Sequence, residues 1–591
     1  MDRREFLRLL GIGALAGSAA GCASGRAGRV STATTLDGMY DVPAFGNARI
    51  LHMADCHAQL MPVYFREPNV NIGVSDQTGK LPHLVGEALL EYAGIQPGTA
   101  EAHAFTYLNF EAEARRLGKV GGFAHLATLV KKLRAEARGG KAMLLDGGDT
   151  WQGSGTALWT RGRDMVDACN LLGVDIMTGH WEFTYLEDEV RANVEAFQGE
   201  FVAQNVKLTE DAEFYDVPSF DDEGHAFRPY TVNNVAGNRV VVIGQAFPYT
   251  PIANPSRFIP NWTFGIRADE LQALVNQIHK RYDPEAVILL SHNGMDVDLK
   301  LASVTSGINF ILGGHTHDGM PVPSIVQNAA GGRTVVTNSG SNGKFLAVLD
   351  LDLGLGRVRD FRYRLLPVFS NLLPADPEMQ AYIEGVRAPY REQLEEPLAV
   401  AESVLYRRGN FNGTFDQLIC DGLMAVGDAQ IALSPGFRWG TSLLPGDPIT
   451  MDRLLDQTCI TYPETYVRDM SGEEIKLILE DVADNLFNPD PFYQQGGDMV
   501  RVGGMNYVCD PLETIGKRIS NMTLDSGEPI EAGKKYKVTG WATVGSQAPG
   551  APVWDVVAEY LRSEKTVRID RLNTPVLKNV DNNPGISDYP S

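Results

Sequence analysis

"INFILGGHTH", Ile308 to His317, is an apolar run closed by two glycines and two histidines. Its apolar part has the length of a buried β-strand, and its polar end is what appears when the following loop reaches a shared site. Four other segments repeat the design: "RILHMAD" (49–55), "AMLLDGGD" (142–149), "VDIMTGH" (174–180) and "AVILLSH" (286–292). Each is apolar, then ends in Asp, His or Gly. From Ala48 to about Pro367 such runs alternate with longer mixed segments, which predicts an α/β layered domain whose loops converge at one sheet edge.

Working outward, this first domain is expected over 45–370, with the less readable interval Gly73 to Lys119 as an elaboration on it. A proline-bracketed, helix-forming stretch over 371–397 reads as a linker helix. A second domain over 398–585 opens with a helical pattern and a strand ending at Ser434-Pro435-Gly436.

The 591 residues are 44% hydrophobic and 21% charged, a globular composition, and the net charge of −22 excludes a general affinity for nucleic acid or acidic membranes. Residues 1–30 carry Arg3-Arg4 ahead of an apolar run from Leu9 to Gly21, the arrangement of a twin-arginine export signal, so a periplasmic location is expected. That run is too short for a permanent span. Ala19-Ala20-Gly21-Cys22 resembles a lipoprotein processing site, so the membrane enters only through acylation of Cys22; cleavage without lipid stands equally open. None of the 6 cysteines forms a Cys-x-x-Cys pair, which argues against a thiolate zinc or thiol redox site. An exported compartment permits disulfides, but their pairing is not readable.

The polar strand ends collect Asp55, His57, Asp149, His180, His292, His315 and His317. Such a set suits two adjacent metal ions if one carboxylate bridges them, and Asp149 in "GGDTWQG" is the natural bridge because its flanking glycines allow close backbone approach. His315 and His317, two apart, are expected on one side of an extended chain. His52, His83, His103, His125, His225 and His279 lack this context and read as ordinary core or surface residues; Cys56 reads as a small side chain packed behind its loop.

Asp55-Cys56-His57, Gly148-Asp149, "GHWE", "LSHNG" and "GGHTHD" resemble, in order and spacing, the binuclear calcineurin-like phosphoesterase domain of the 5′-nucleotidase superfamily. The second domain resembles the superfamily's C-terminal domain. The resemblance implies a four-layer α/β/β/α domain followed by an α+β substrate domain. Within the superfamily, "HAQLMPVYFREPNVNIG", "GKVGGFAHLATLV", "GHWEFTY" and "YQQGGDMVRVGG" resemble the SoxB branch, thiosulfohydrolases of sulfur oxidation. It implies one ion on Asp55, His57, Asp149 and His317 and another on Asp149, His180, His292 and His315. Two Mn²⁺ ions are implied; oxygen and nitrogen ligation agrees with manganese and leaves other divalent metals open. Folding in the cytoplasm before twin-arginine export would allow manganese to be loaded there. The implied substrate is a cysteine S-thiosulfonate on the SoxYZ carrier protein, cleaved by metal-bound hydroxide attack on the terminal sulfonate sulfur, with other Sox proteins as further partners.

The chain departs from the nucleotidase pattern at "GHWEFT". His180 stands where an asparagine ligand is usual, Trp181 replaces the catalytic histidine, and Thr184 falls where its aspartate partner would be. General acid help is worth roughly 10²- to 10⁴-fold when an alkoxide leaves. A persulfide is far more stable as an anion, since even an ordinary thiol titrates near about 8.5, so a sulfur-directed enzyme can dispense with the acid. Besides Asp149 and His180, Arg438 in "SPGFRWG" is the catalytic candidate, because nucleotidases place a substrate arginine there. Arg66 and Arg501 are further candidates for binding the sulfonate, and Gly496 and Gly497 for admitting a narrow peptide arm. Two other readings remain. A periplasmic nucleotidase or cyclic phosphodiesterase would need a base sandwiched by aromatics such as Phe437, Phe492 or Tyr493, and a non-catalytic partner would hold its metals structurally. Open coordination positions argue against the last.

Overall fold

The computed structural model describes residues 38–138, 142–545 and 547–589. The export signal and Cys22 lie outside the described residues. Each apolar run becomes a strand. In chain order the first domain contains β1 (Ala48–Met53), β2 (Ala142–Asp146), β3 (Ile176–Met177), β4 (Glu200–Phe201), β5 (Lys207–Leu208), β6 (Tyr230–Val235), β7 (Asn238–Gln245), β8 (Trp262–Thr263), β9 (Ala286–Ser291), β10 (Phe310–Gly313), β11 (Ser324–Gln327), β12 (Arg333–Asn338), β13 (Phe345–Gly354) and β14 (Arg357–Pro367).

Twelve of these form two 6-stranded sheets, ordered β14-β13-β1-β2-β3-β4 and β11-β12-β10-β9-β7-β6, and β5 pairs separately with β8. Pairing is parallel through β1-β2-β3-β4 and through β7-β9-β10-β12. Between the sheets lies an apolar layer with Ile50, Leu145, Val242, Ile288 and Leu312. The outer faces are covered by helices such as Phe123–Glu136 and Arg163–Leu172, whose buried sides join a second apolar layer. The strands are apolar on both faces because both are covered, and burying each such side chain contributes about 1.5–3 kcal/mol. The four-layer α/β/β/α domain is the expected one. Parallel pairing brings the carboxyl ends of β1, β2 and β3 to one edge of their sheet and those of β9 and β10 to one edge of theirs, which gathers the loops.

The stretch 73–119 is helical, with Gly86–Ala93, Ala100–Phe105 and Phe110–Leu117. Within 371–397, Asp376 caps helix Pro377–Arg387 by accepting from Met379 N–H, with proline in the first turn where its missing N–H costs nothing. The second domain opens with strand Pro397–Ala401, in a 3-stranded sheet with Pro448–Thr450 and Thr566–Val567; helix Thr414–Gly427 and strand Ile431–Ser434 follow, the latter in a 4-stranded sheet with Thr465–Ser471, Lys535–Trp541 and Arg501–Gly503.

Polar contacts tie the two domains close to the site. Gln59 Nε2 donates to Asp456 Oδ1 at 3.0 Å, Gln152 Nε2 to the Cys459 carbonyl at 2.6 Å, and Ile72 N–H to Asn410 Oδ1 at 2.7 Å. The chain's last described segment returns to the first domain, where Asn71 N–H donates to the Gly585 carbonyl at 2.7 Å. Cys56, Cys169, Cys420, Cys459 and Cys509 are buried free thiols. Among the described residues, no helix is long and apolar enough to cross a membrane.

Candidate metal centre

The loops after β1, β2, β3, β9 and β10 deliver all the sequence-predicted ligands to one buried place. Two groups form, Asp149, His180, His292 and His315 in one and Asp55, His57, Asp149 and His317 in the other, with ligand atoms within 4.8 Å of one another in each. Asp149 belongs to both. Its Oδ2 lies 3.0 Å from His292 Nε2, 3.3 Å from His180 Nδ1 and 3.7 Å from His57 Nε2. His57 Nε2 is 3.0 Å from His317 Nε2, which lies 3.4 Å from Asp55 Oδ1.

One expectation is corrected. His315 and His317 do not sit on an extended chain: both are left-handed, with φ of 74° and 59°. Asp55, His57 and Asp149 share this conformation, at φ of 54°, 45° and 58°. For residues other than glycine it costs on the order of 1–3 kcal/mol each and persists only where surroundings impose it. Here Asp55 N–H donates to the Gly148 carbonyl and His57 N–H to the Asp149 carbonyl, each at 2.8 Å. Gly148, at φ 94°, lets the Asp149 loop press against its neighbour: a Cβ there would come within 3.0 Å of Gly179 Cα.

Glu182 is the keystone of these loops. Its buried carboxylate accepts the N–H groups of Asp149 (3.1 Å), Thr150 (2.7 Å), Trp151 (3.1 Å) and His180 (2.8 Å). It therefore fixes Asp149, the aspartate common to both groups, and His180 together. The residue stood in the quoted "GHWE", but only the fold reveals that its partners are backbone groups of another loop.

Burial holds His57 down to about 4 and lowers His180, His315 and His317 as well, so these imidazoles are neutral and carry free lone pairs. For His292 burial also opposes charge, but Asp149 and Asp55 outweigh it and push the ring up to about 10. Burial works against ionisation of Asp149 too, yet His292 and His180 hold its carboxyl well below the usual range. The centre is thus built for positive charge. His292 Nδ1 lies 2.6 Å from the Gly147 carbonyl, which fixes that nitrogen as donor and aims Nε2 inward. Both nitrogens of His315 are buried without partners, and His292 Nε2, although 3.0 Å from Asp149 Oδ2, makes no hydrogen bond of good geometry. Each unpaired atom would cost about 1–3 kcal/mol. Divalent cations remove that cost, and carboxylates with imidazoles and no thiolate fit such ions without selecting one. Cys56 is fully buried behind the loop, its thiol pushed well up by burial.

Trp181 and Thr184 face the second domain. Trp181 donates its backbone N–H to Asp149 Oδ1 at 2.7 Å, while its ring makes edge contacts with Trp439 at 5.0 Å and Phe437 at 5.5 Å between centroids. Thr184 Oγ1 lies 2.7 Å from Thr461 Oγ1.

The arginines divide. Arg438 donates from Nη2 to the Gly497 carbonyl at 2.7 Å and lies 3.4 Å from Asp498, leaving Nη1 buried and unpartnered. Arg501 is corrected as a substrate candidate: it is fully buried, 3.0 Å from Asp498 and 3.4 Å from Asp416, and serves as a structural cation. Arg66 is corrected likewise, its guanidinium lying over Tyr406 at 4.0 Å and Tyr107 at 4.8 Å. Arg408 is the residue the sequence reading missed. Its Nη2 donates to the Thr316 carbonyl at 3.3 Å and its Nε is buried without a partner. Nothing in "YRRGN" marks it.

Arg408, Arg438, His315, Thr316, Gly496 and Asp498 are among the residues lining a chamber of about 50 Å³. His83 and Asn71 also line it, and no Phe, Tyr or Trp does. Gly496, at φ 76°, is pressed onto the centre: a Cβ there would fall 1.8 Å from His315 Nε2. Gly497 has more room. Phe437 is stacked on Trp439 at 3.9 Å, Lys300 Nζ lies 4.0 Å from the Phe492 centroid, and Tyr493 is 63% exposed, so the three do not form a base clamp.

Comparison with known proteins places these features. The family of 5′-nucleotidase C-terminal domains matches residues 397–556. The sulfate thiohydrolase SoxB of Thermus thermophilus has a similar structure, with a TM-score of 0.84 and 38% identity over 91% of this chain and 98% of that one. A 5′-nucleotidase precursor from the same species shares the fold, with a TM-score of 0.70 and 21% identity over 90% of this chain and 99% of that one. The trifunctional nucleotide phosphoesterase YfkN of Bacillus subtilis is 25% identical over 76% of this chain; the chain spans only 32% of YfkN. Bovine 5′-nucleotidase is 24% identical over 71% of this chain and 76% of its own length.

Proposed function

We propose, for a chain that belongs to the 5′-nucleotidase superfamily of hydrolases, that the substrate is a thiosulfonate carried on a protein cysteine and that the product is sulfate. The observation that carries this reading is the chamber beside His315: about 50 Å³, lined by two arginines and by no Phe, Tyr or Trp. Small-molecule sites usually have about 300–1,000 Å³, so a nucleoside has no place here, whereas the end of a sulfonate-tipped side chain does. The similarity to the Thermus thermophilus sulfate thiohydrolase supports the same reading.

Two divalent ions, manganese in this proposal, supply Lewis acidity and an ionised water when bound. The chain's own residues do the rest. Asp149 spans both ligand groups and Glu182 fixes its loop. The unpartnered N–H groups of Arg438 Nη1 and Arg408 Nε receive the sulfonate oxygens. Water adds its oxygen to the terminal sulfonate sulfur, the bond from that sulfur to the sulfane sulfur breaks, and the electron pair leaves with the cysteine persulfide. Sulfate and protons complete the balance. Trp181 has no proton to give at this point, and the persulfide, a stable anion, does not require one. The cysteine belongs to the SoxYZ carrier in this proposal, and the reaction to the periplasm.

The test is sulfate release by the metal-loaded protein from the thiosulfonate-modified carrier, beside phosphate release from AMP. Rapid sulfate with negligible phosphate is expected. Phosphate without sulfate would make the protein a nucleotidase and leave its missing acid unexplained.

A further inference from the structure

A second, much larger depression lies outside the chamber. A groove of about 1350 Å³ is lined by the 74–81 loop, helix Gly86–Ala93, helix Met295–Val304, Pro489, Pro491 and strand β11. Its walls mix apolar side chains, Val74, Leu81, Leu84, Leu299, Ile325 and Val326 among them, with the charged Asp76, Lys80, Glu91, Lys300 and Arg333. β11 is the edge strand of its sheet, paired antiparallel with β12 alone. Among the described residues, no backbone hydrogen bond joins Ser324–Gln327 to any other segment. Protein sheets commonly guard such edges with charge, proline or a covering element. "SIVQ" has neither charge nor proline within it, Pro323 standing just before its first residue, and it lines an open groove.

The groove borders the chamber at one residue. Gln494 lines both the groove and the chamber, and two residues further on Gly496 lies against His315. Two residues of chain span at most about 7 Å. A segment that runs along the groove as far as Gln494 therefore comes within reach of the chamber, which is too narrow for anything wider than one slender side chain.

We infer that the free edge of β11 binds an extended peptide segment of the protein substrate as an added strand, seating it in the groove so that its modified cysteine enters the chamber past Gln494. Backbone pairing supplies the affinity, and the apolar and charged wall residues accept alternate side chains. This rests on the proposed hydrolysis of a protein-bound thiosulfonate, and supplies what the small chamber lacks, a surface that distinguishes a protein substrate from a free one.

The test uses the full, metal-loaded protein with the thiosulfonate-modified carrier and, in parallel, with the same thiosulfonate on free cysteine. Amide hydrogen exchange over 324–327 should slow when the carrier is added. Ser303→Trp, at an exposed helix position on the groove wall, should raise KM for the carrier about tenfold and shift KM for the free conjugate much less. Turnover of the carrier with β11 unprotected, or an unchanged carrier KM in S303W, would overturn the inference. Protection of β11 without any sulfate release would keep the groove and sink the hydrolase reading, and absence of both would sink both.

Discussion

The first-domain and second-domain walls of the site are built by different means. The first consists of candidate ligands at the ends of parallel strands, five of the seven in left-handed conformations, and is pinned by backbone hydrogen bonds. The second consists of arginines and glycines whose roles are set by which carboxylates happen to neutralise them. A strand end has a direction given by the sheet, so its residue type predicts its use. An arginine on a loop has none: Arg438 and Arg501 both approach Asp498, yet Arg438 lines the chamber whereas Arg501 lies fully buried away from it, between Asp498 and Asp416.

The strongest way to break this contrast is to remove the residue on which the first wall depends. Asp149→Ala should lower turnover by at least about a thousandfold and reduce bound metal below two ions per chain, measured by elemental analysis. Retention of both ions would mean that Asp149 does not bridge. Next in size is Glu182, which touches no predicted ligand side chain but holds the loops of two of them through four N–H groups. Glu182→Ala should cost about 10–100-fold in metal affinity, read as faster loss of metal to a chelator. Unaltered metal retention would reduce Glu182 to a packing role.

The second wall is sharpened by a pair of variants. Arg438→Ala should raise KM about tenfold or more, as expected when a charge-assisted hydrogen bond is lost, with a small change in thermal stability. Arg501→Ala should do the reverse, destabilising by about 3–5 kcal/mol because it strips a partner from buried carboxylates, with KM little changed in the fraction that folds. Equal effects on KM would erase the distinction drawn from their burial.

What the sequence disclosed follows the same division. The five apolar runs fixed both the layered fold and the ligands, because strand period and strand-end chemistry are local signals. The second domain was readable from its helix and from the strand closing at Ser434. Arg408, Arg66 and Arg501 were not readable, since a guanidinium is assigned by its tertiary partners. Nor was the destination of Trp181, whose substitution for an acid was plain but whose ring is packed against Trp439, a residue 258 positions away in the numbering (439 − 181).

His83 belongs to neither wall and lines the chamber from the 69–85 loop. Its Nε2 lies 2.9 Å from Asp296 Oδ2, its Nδ1 3.3 Å from the Asn71 carbonyl, and Asp318 adds further negative charge. Burial disfavours the charged ring, but Asp296 outweighs burial and raises the group above its ordinary value. A raised folded value means the ion pair stabilises fully below the unfolded titration near about 6.5 and is lost as pH climbs through the folded one. His83→Gln should therefore lower the melting temperature most near pH 6, with the gap to the unsubstituted protein narrowing toward pH 9. A gap constant across that range would mean that His83 contributes by packing alone, and that the loop beside the chamber is held by its contacts with Pro584 and Gly585 without electrostatic help.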